Sequence, residues 1–261
     1  MYPAEPIARI LNMTKRIITM PIYNSDILKH IPTGNSTLVL MDLDDVILTP
    51  HQYACGSIWY HNHREANKHI KERHHILGDF YYCARNIEHK ALSSQLVANF
   101  SNLSESVTVL GFTARSEELA SETLRDVKNA GMKFSTKLQH EDYPNLKDGV
   151  IFVGASNSTA KPGNKGTALL TFLSKDILPE VDNVFFIDDN LQHVQEVYNA
   201  LQDMSLTVVH YTEAHARLHC DFTQEELNII GPLQFESLKT SGYIPGNEEA
   251  LFTYYNNTLF L

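Results

Sequence analysis

Short apolar runs alternate with helical patterns from about residue 105 onward, and this alternation is the strongest constraint on the fold. The strand-like runs are SVTVLGF (106–112), GVIFVG (149–154), NVFFIDD (183–189) and SLTVVHY (205–211). The helix-like segments are SEELASETLRDVKNAG (116–131), NKGTALLTFLSKDI (164–177) and NLQHVQEVYNALQDM (190–204). Strands that alternate with helices form parallel sheets covered on both faces. The sequence therefore predicts an α/β fold.

The start and end of this alternation of strands and helices divide the chain into four predicted segments. Residues 1–36 are predicted to be a helical N-terminal lead-in, and residues 37–50 together with 106–231 form the α/β core. Residues 51–105 are rich in histidine and aromatic residues and mostly helical in pattern, which predicts an insert directly after the first core strand. Residues 232–261, rich in Tyr, Phe and Asn, are predicted to be a packed tail rather than a separate domain.

Charge and cysteine usage narrow the classes of function. The formal net charge of −10 argues against a nucleic-acid or anionic-membrane binder, which would need a basic face. No apolar run approaches the length of a membrane span, and the N-terminus lacks the apolar segment of a signal peptide. Cys55, Cys83 and Cys220 form no CxxC pair and predict reduced thiols. The expected location is cytoplasmic, with bacterial secretion without a cleaved signal as the alternative.

An apolar run passes into three aspartates in LVLMDLDDVILTP (38–50). Carboxylates resist burial, so Asp42, Asp44 and Asp45 in such a strand indicate a compensating cation. Asp188 follows another apolar strand, and parallel sheets carry their sites at the carboxyl ends of strands. Mg²⁺ prefers oxygen ligands, and the carboxylates, the backbone carbonyl of Asp44 and bound waters would supply them. No Cys/His set accompanies them, so the sequence predicts Mg²⁺ rather than zinc.

These residue types suit a carboxylate nucleophile that attacks phosphorus and forms an aspartyl-phosphate intermediate. Asp42 is predicted to attack, and Asp44 to protonate the leaving group and then activate water. Thr113 in FTARS and Lys165 in GNKG are of the types that bind phosphoryl oxygens. Asp45 is given no catalytic role.

The segments DLDDV, TAR, Lys165 and the DD pair at 188–189, in this order, resemble the four motifs of the haloacid dehalogenase-like (HAD) superfamily, phosphatase branch. The likeness covers residues 37–50 and 106–212, and it also extends to a little-characterised bacterial group of such proteins. It implies a Rossmann-like parallel sheet flanked by helices on both faces, with the insert after the first core strand as a mostly helical cap.

The resemblance also implies roles for individual residues. Asp42 would be the nucleophile and Asp44 the general acid/base, and Thr113 matches the second motif. Asp188 would bind Mg²⁺ with Asp189 in support. For the lysine of the third motif, Lys165 is the first choice and Lys161 the alternative.

The predicted function is a Mg²⁺-dependent phosphatase acting on a phosphorylated small molecule or phosphoprotein. A phosphotransferase with the same intermediate is the second hypothesis, for the case that the cap excludes water. The third is a secreted bacterial effector or binding module that recognises a phosphorylated partner through the cap. The substrate and the oligomeric state stay open. The histidines of the insert predict a solvated helical face rather than a metal site: His61, His63, His69, His74 and His75.

Overall fold

The structure, a computed structural model, describes residues 14–33, 36–70, 72–103, 107–135, 143–154, 164–175, 177–178 and 180–258, apart from the side chains of residues 73, 74 and 258. The strands are β1 (Lys15–Met20), β2 (Thr37–Met41), β3 (Leu48–Pro50), β4 (His89–Ala91), β5 (Thr108–Ser116), β6 (Leu146–Lys147), β7 (Val150–Gly154), β8 (Asn183–Asp188) and β9 (Ser205–Tyr211). The α-helices are α1 (Ser57–Asn67), α2 (Arg73–Asn86), α3 (Ser94–Leu103), α4 (Ala120–Asn129), α5 (Lys165–Leu173), α6 (Leu191–Ala200), α7 (Glu213–Asp221), α8 (Gln224–Ser241) and α9 (Asn247–Thr258). Short 3₁₀ segments lie at Ser25–His30 and Glu117–Leu119.

Seven of these strands form one sheet in the order β1-β9-β8-β2-β5-β7-β6. The pair of β6 and β7 is antiparallel, and the other five pairs are parallel. Strand β2 lies at the centre, hydrogen-bonded to β8 on one side and to β5 on the other. The predicted α/β fold with a Rossmann-like parallel sheet is confirmed.

Both faces of the sheet are covered, and strand β2 shows why Leu38–Met41 are all apolar. Leu38 and Leu40 pack into one core cluster, whereas Val39 and Met41 pack into the other. Successive side chains of a strand point to opposite faces, so a strand buried on both sides reads as a nearly continuous apolar run. Helices α5 and α6 contribute to the first cluster, and α3, α4 and α8 contribute to the second.

The predicted helical lead-in over residues 1–36 is wrong for Lys15–Met20, which form the edge strand β1. This strand pairs in parallel with β9, and Ile17 lies opposite Val208. The pairing partner is about 190 residues away in the sequence, so the local pattern could not reveal it. Residues 1–13 of the lead-in lie outside the described residues.

Two of the predicted boundaries differ from those of the structure: the insert is shorter than residues 51–105, and the tail does not begin at residue 232. Helix α3 lies within the predicted insert, but its Phe100 packs against Phe185 of the central sheet. Strand β4 pairs with β3 in a separate two-stranded sheet, so the insert proper consists of α1 and α2. The predicted start of the tail at residue 232 falls inside α8, which continues through Pro232.

Cys55 and Cys83 form a disulfide, with their Cα atoms 5.3 Å apart, and both side chains are buried. The expectation of reduced thiols is therefore wrong for this pair, whereas Cys220 is free and exposed. The two partners are 28 residues apart and meet only because α2 packs beside the loop before α1. Within the described ranges, no helix has the length and apolar character needed to cross a membrane.

Candidate active site

The carboxyl ends of three adjacent strands carry three of the predicted site residues. Asp42 directly follows β2, Thr113 lies in β5, and Asp188 ends β8. The Asp42 N–H donates to the Ile187 carbonyl at 2.9 Å, so the sheet pairing continues to this point. All three predicted site residues are buried. The parallel topology therefore gathers these polar side chains at one edge of the sheet.

Lys165 joins two of the buried carboxylates. Its Nζ lies 2.9 Å from Asp42 Oδ1 and 2.6 Å from Asp188 Oδ2. Burial, reinforced by the charge of Asp188, raises the pKa of Asp42 to about 7, against the opposing effect of Lys165. Burial would lower the pKa of the Lys165 ammonium, but the two carboxylates outweigh it and raise that pKa to about 12. The three groups form a buried charge cluster whose only cation is an ammonium.

Local sequence places Lys165 at the start of helix α5. The Asn164 side chain caps the helix by accepting the Thr167 N–H at 2.8 Å. At Gly166 an added Cβ would lie 2.3 Å from the Glu196 carbonyl oxygen, so only glycine allows α5 to approach α6 this closely. The Asn-Lys-Gly sequence thus fixes where the lysine stands. The alternative residue, Lys161, lies outside the described residues.

Asp44 is held by an arginine that the sequence analysis assigned no role. Arg115 Nη2 donates to Asp44 Oδ1 at 2.7 Å and Nε donates to Oδ2 at 3.0 Å. Burial would raise the pKa of Asp44, but the charge and hydrogen bonds of Arg115 outweigh it and hold that pKa below its ordinary value. Arg115 also donates to the Thr123 hydroxyl at 3.1 Å. A signal was present in TAR, because an arginine at a buried strand end requires a carboxylate partner.

Thr113 is fully buried in β5, two residues beyond Gly111, which pairs with Met41 immediately before Asp42. Its Oγ1 accepts the Arg115 N–H at 3.1 Å. A hydroxyl that accepts one hydrogen bond keeps its own proton to donate. Thr113 therefore lies on the strand next to the one that leads to Asp42, and this hydrogen bond does not use its hydroxyl proton.

Asp45 and Asp189 lie on the side of the site that meets the insert. Ser57, the first residue of α1, donates to Asp45 Oδ2, and its Oγ lies 3.3 Å from Asp189 Oδ2. Burial and the charges of Asp188 and Asp45 raise the pKa of Asp189 well above its ordinary value. Asp45 has a φ of 55°, which Asp tolerates better than most residues. Of the predicted metal residues, Asp44 thus faces Arg115 and Asp189 faces Ser57.

A histidine joins the other two predicted metal residues. Asp42, Asp188 and His193 each present a ligand atom, and these atoms lie within 4.8 Å of one another. His193 Nδ1 is buried, lies 3.4 Å from Asp188 Oδ2, and has no hydrogen-bond partner among the described residues. Two carboxylates and an unpaired imidazole nitrogen fit a divalent cation. The sequence analysis gave His193 no role.

Comparison with known proteins gives one match. The family model described as "Protein of unknown function (DUF2608)" matches residues 23–244. No curated protein matches, and no solved structure matches. The assignment to the HAD-like superfamily was wrong, because the matching model is that of an uncharacterised family. That assignment rested on a few residue types at strand ends, and parallel sheets of many families place polar residues there.

Proposed function

The chain belongs to the DUF2608 family, and from its site we propose that it is a Mg²⁺-dependent phosphatase that hydrolyses a phosphomonoester through an aspartyl-phosphate intermediate. One observation carries the proposal: a buried lysine bonds two buried aspartates at the carboxyl ends of the adjacent strands β2 and β8. Asp42 is thereby held in one orientation beside a fixed positive charge. A second carboxylate, Asp44, stands two residues away.

In the first step, an Asp42 oxygen attacks phosphorus, an acyl-phosphate bond forms, and the bond from phosphorus to the leaving oxygen breaks. The Lys165 ammonium attracts the anionic substrate, and the Thr113 hydroxyl donates to a phosphoryl oxygen. A divalent cation held by Asp42 and Asp188 would supply further charge against the repulsion between carboxylate and phosphoryl group.

In the second step, water attacks phosphorus, inorganic phosphate leaves, and the Asp42 carboxylate is restored. Asp44 is the base for this step, because the salt bridge to Arg115 keeps it ionised. To protonate the leaving oxygen in the first step, Asp44 must take up a proton and its contact with Arg115 must weaken. The Arg115 contact therefore sets the balance between the two tasks of Asp44.

The test is hydrolysis of an aryl phosphate with Mg²⁺ by the wild type, Asp42→Asn, and the matched control Asp221→Asn, an exposed residue at the end of α7. We expect Asp42→Asn to lose on the order of 10³-fold or more in kcat, because it removes the nucleophile. The control should keep full activity, and far-ultraviolet circular dichroism should show that both variants fold.

The intermediate provides a second measurement. Wild-type protein quenched during turnover of ³²P-labelled substrate should retain a label that hydroxylamine releases, and Asp42→Asn should retain none. Equal aryl phosphate hydrolysis by the wild type and Asp42→Asn would refute the proposal.

A further inference from the structure

The unpaired nitrogen of His193 faces the carboxylate pair. Nδ1 is buried and makes no hydrogen bond within the described part of the chain, although Asp188 Oδ2 is only 3.4 Å away. Buried polar atoms without a partner are rare in native proteins and call for a physical reason. Nδ1 therefore lies close to Asp188 Oδ2 without meeting the geometry of a hydrogen bond.

The backbone holds His193 over Asp188. Asp188 Oδ1 accepts the Asn190 N–H at 2.8 Å, and the Asn190 side chain accepts the Gln192 N–H at 2.9 Å. These two hydrogen bonds fix the turn from β8 into α6, and His193 lies in the first turn of that helix. The hydrogen bonds of this turn therefore position the His193 imidazole beside Asp188.

Oxygen ligands remain available in spite of Lys165. The ammonium bonds Oδ1 of Asp42 and Oδ2 of Asp188. The Lys165 ammonium and the Leu43 N–H both contact Oδ1 of Asp42 rather than Oδ2, and each carboxylate oxygen has two lone pairs. When both aspartates are ionised, they carry two negative charges against one ammonium, which leaves a net charge of −1 to attract a cation.

We infer that His193 is a third protein ligand, so that the site binds later first-row transition ions such as Co²⁺ and Zn²⁺ more tightly than Mg²⁺. Mg²⁺ takes oxygen ligands almost exclusively, whereas imidazole suits the later transition ions. The inference rests on the proposed function for its choice of site, but cation binding is measurable without turnover.

The experiment is titration of the metal-free protein with Co²⁺, followed by absorption spectroscopy, and with Mg²⁺ in competition against Mn²⁺, followed by electron paramagnetic resonance. We expect His193→Asn to weaken Co²⁺ binding by at least about 10-fold, while its effect on Mg²⁺ is much smaller. His193→Asp, which supplies oxygen in place of nitrogen, should shift the preference toward Mg²⁺.

The control variant is His219→Asn. His219 stacks on His215 on the surface of α7, and the two rings could bind Co²⁺ adventitiously. This variant should leave the high-affinity Co²⁺ site unchanged. Co²⁺ affinity that falls with His219→Asn and not with His193→Asn would overturn the inference.

The inference and the proposed function fail in different ways. Normal Co²⁺ binding through His193 in a protein without phosphatase activity would refute only the proposed function. An active phosphatase whose Co²⁺ affinity is the same in the wild type and His193→Asn would refute only the metal inference.

Discussion

Replacing Lys165 with methionine removes a positive charge from between two buried carboxylates and keeps most of the side-chain volume. In the wild type, the ammonium lies 2.9 Å from Asp42 and 2.6 Å from Asp188, and it is fully buried. Removing one partner of a buried ion pair costs about 3–5 kcal/mol. Because two carboxylates are left facing each other, we expect the free energy of unfolding to fall by about 4–5 kcal/mol in the metal-free protein at pH 8.

The size of this loss should depend on pH. The pKa of Asp42, already raised to about 7, rises further without Lys165, while in the unfolded chain it is about 3.9. A group with a raised folded-state pKa contributes stability that is fully present below the unfolded pKa and is lost as pH rises through the folded pKa. The variant should therefore be closer to the wild type at pH 5 than at pH 8.

Urea unfolding at the two pH values, followed by circular dichroism, measures both effects. Lys175→Met is the matched control, because Lys175 is exposed just beyond the end of the same helix. Added Mn²⁺ should restore part of the stability of Lys165→Met by replacing the lost charge. A loss below about 1 kcal/mol at pH 8, the value typical of exposed ion pairs, would show that the buried cluster does not form.

Two further predictions concern the Arg115 salt bridge and the disulfide. Arg115→Lys loses the two-point contact with Asp44, so kcat for aryl phosphate should fall by about 10- to 100-fold, and an unchanged kcat would count against this role. Cys83→Ser opens the disulfide that closes a loop of 28 residues, so the free energy of unfolding under oxidising conditions should fall by about 3–4 kcal/mol. The exposed Cys220→Ser is its control, and equal stability of the two cysteine variants would contradict the disulfide.

The sequence could predict those features that depend on local pattern. The apolar run of Leu38–Met41 indicated a strand buried on both faces, and the aspartates that follow it indicated a site at the strand end. Lys165 was identifiable because it stands at a helix start just before the next core strand. In the structure it contacts two of the predicted acids, Asp42 and Asp188.

The sequence could not predict which residues that are far apart in the chain contact each other in the fold. Strand β1 depends on β9, and Arg115 depends on a carboxylate 71 residues earlier in the chain. The disulfide joins two cysteines that share no motif. The family assignment failed for a related reason, because four short motifs describe what a phosphate site needs and do not identify the lineage that carries it.

The C-terminal helices take part in shaping the site, although they lie outside the sheet. The loop before α1 is held by the Ala54 N–H, which donates to the buried Gln234 side chain at 2.8 Å, and by the Tyr53 N–H, which donates to Asn247 at 2.9 Å. Cys55 ties the same loop to α2. Ser57, the first residue after this loop, donates a hydrogen bond to Asp45 Oδ2. Because these contacts with α8, α9 and α2 fix the loop, the insert and the tail together form one wall of the site.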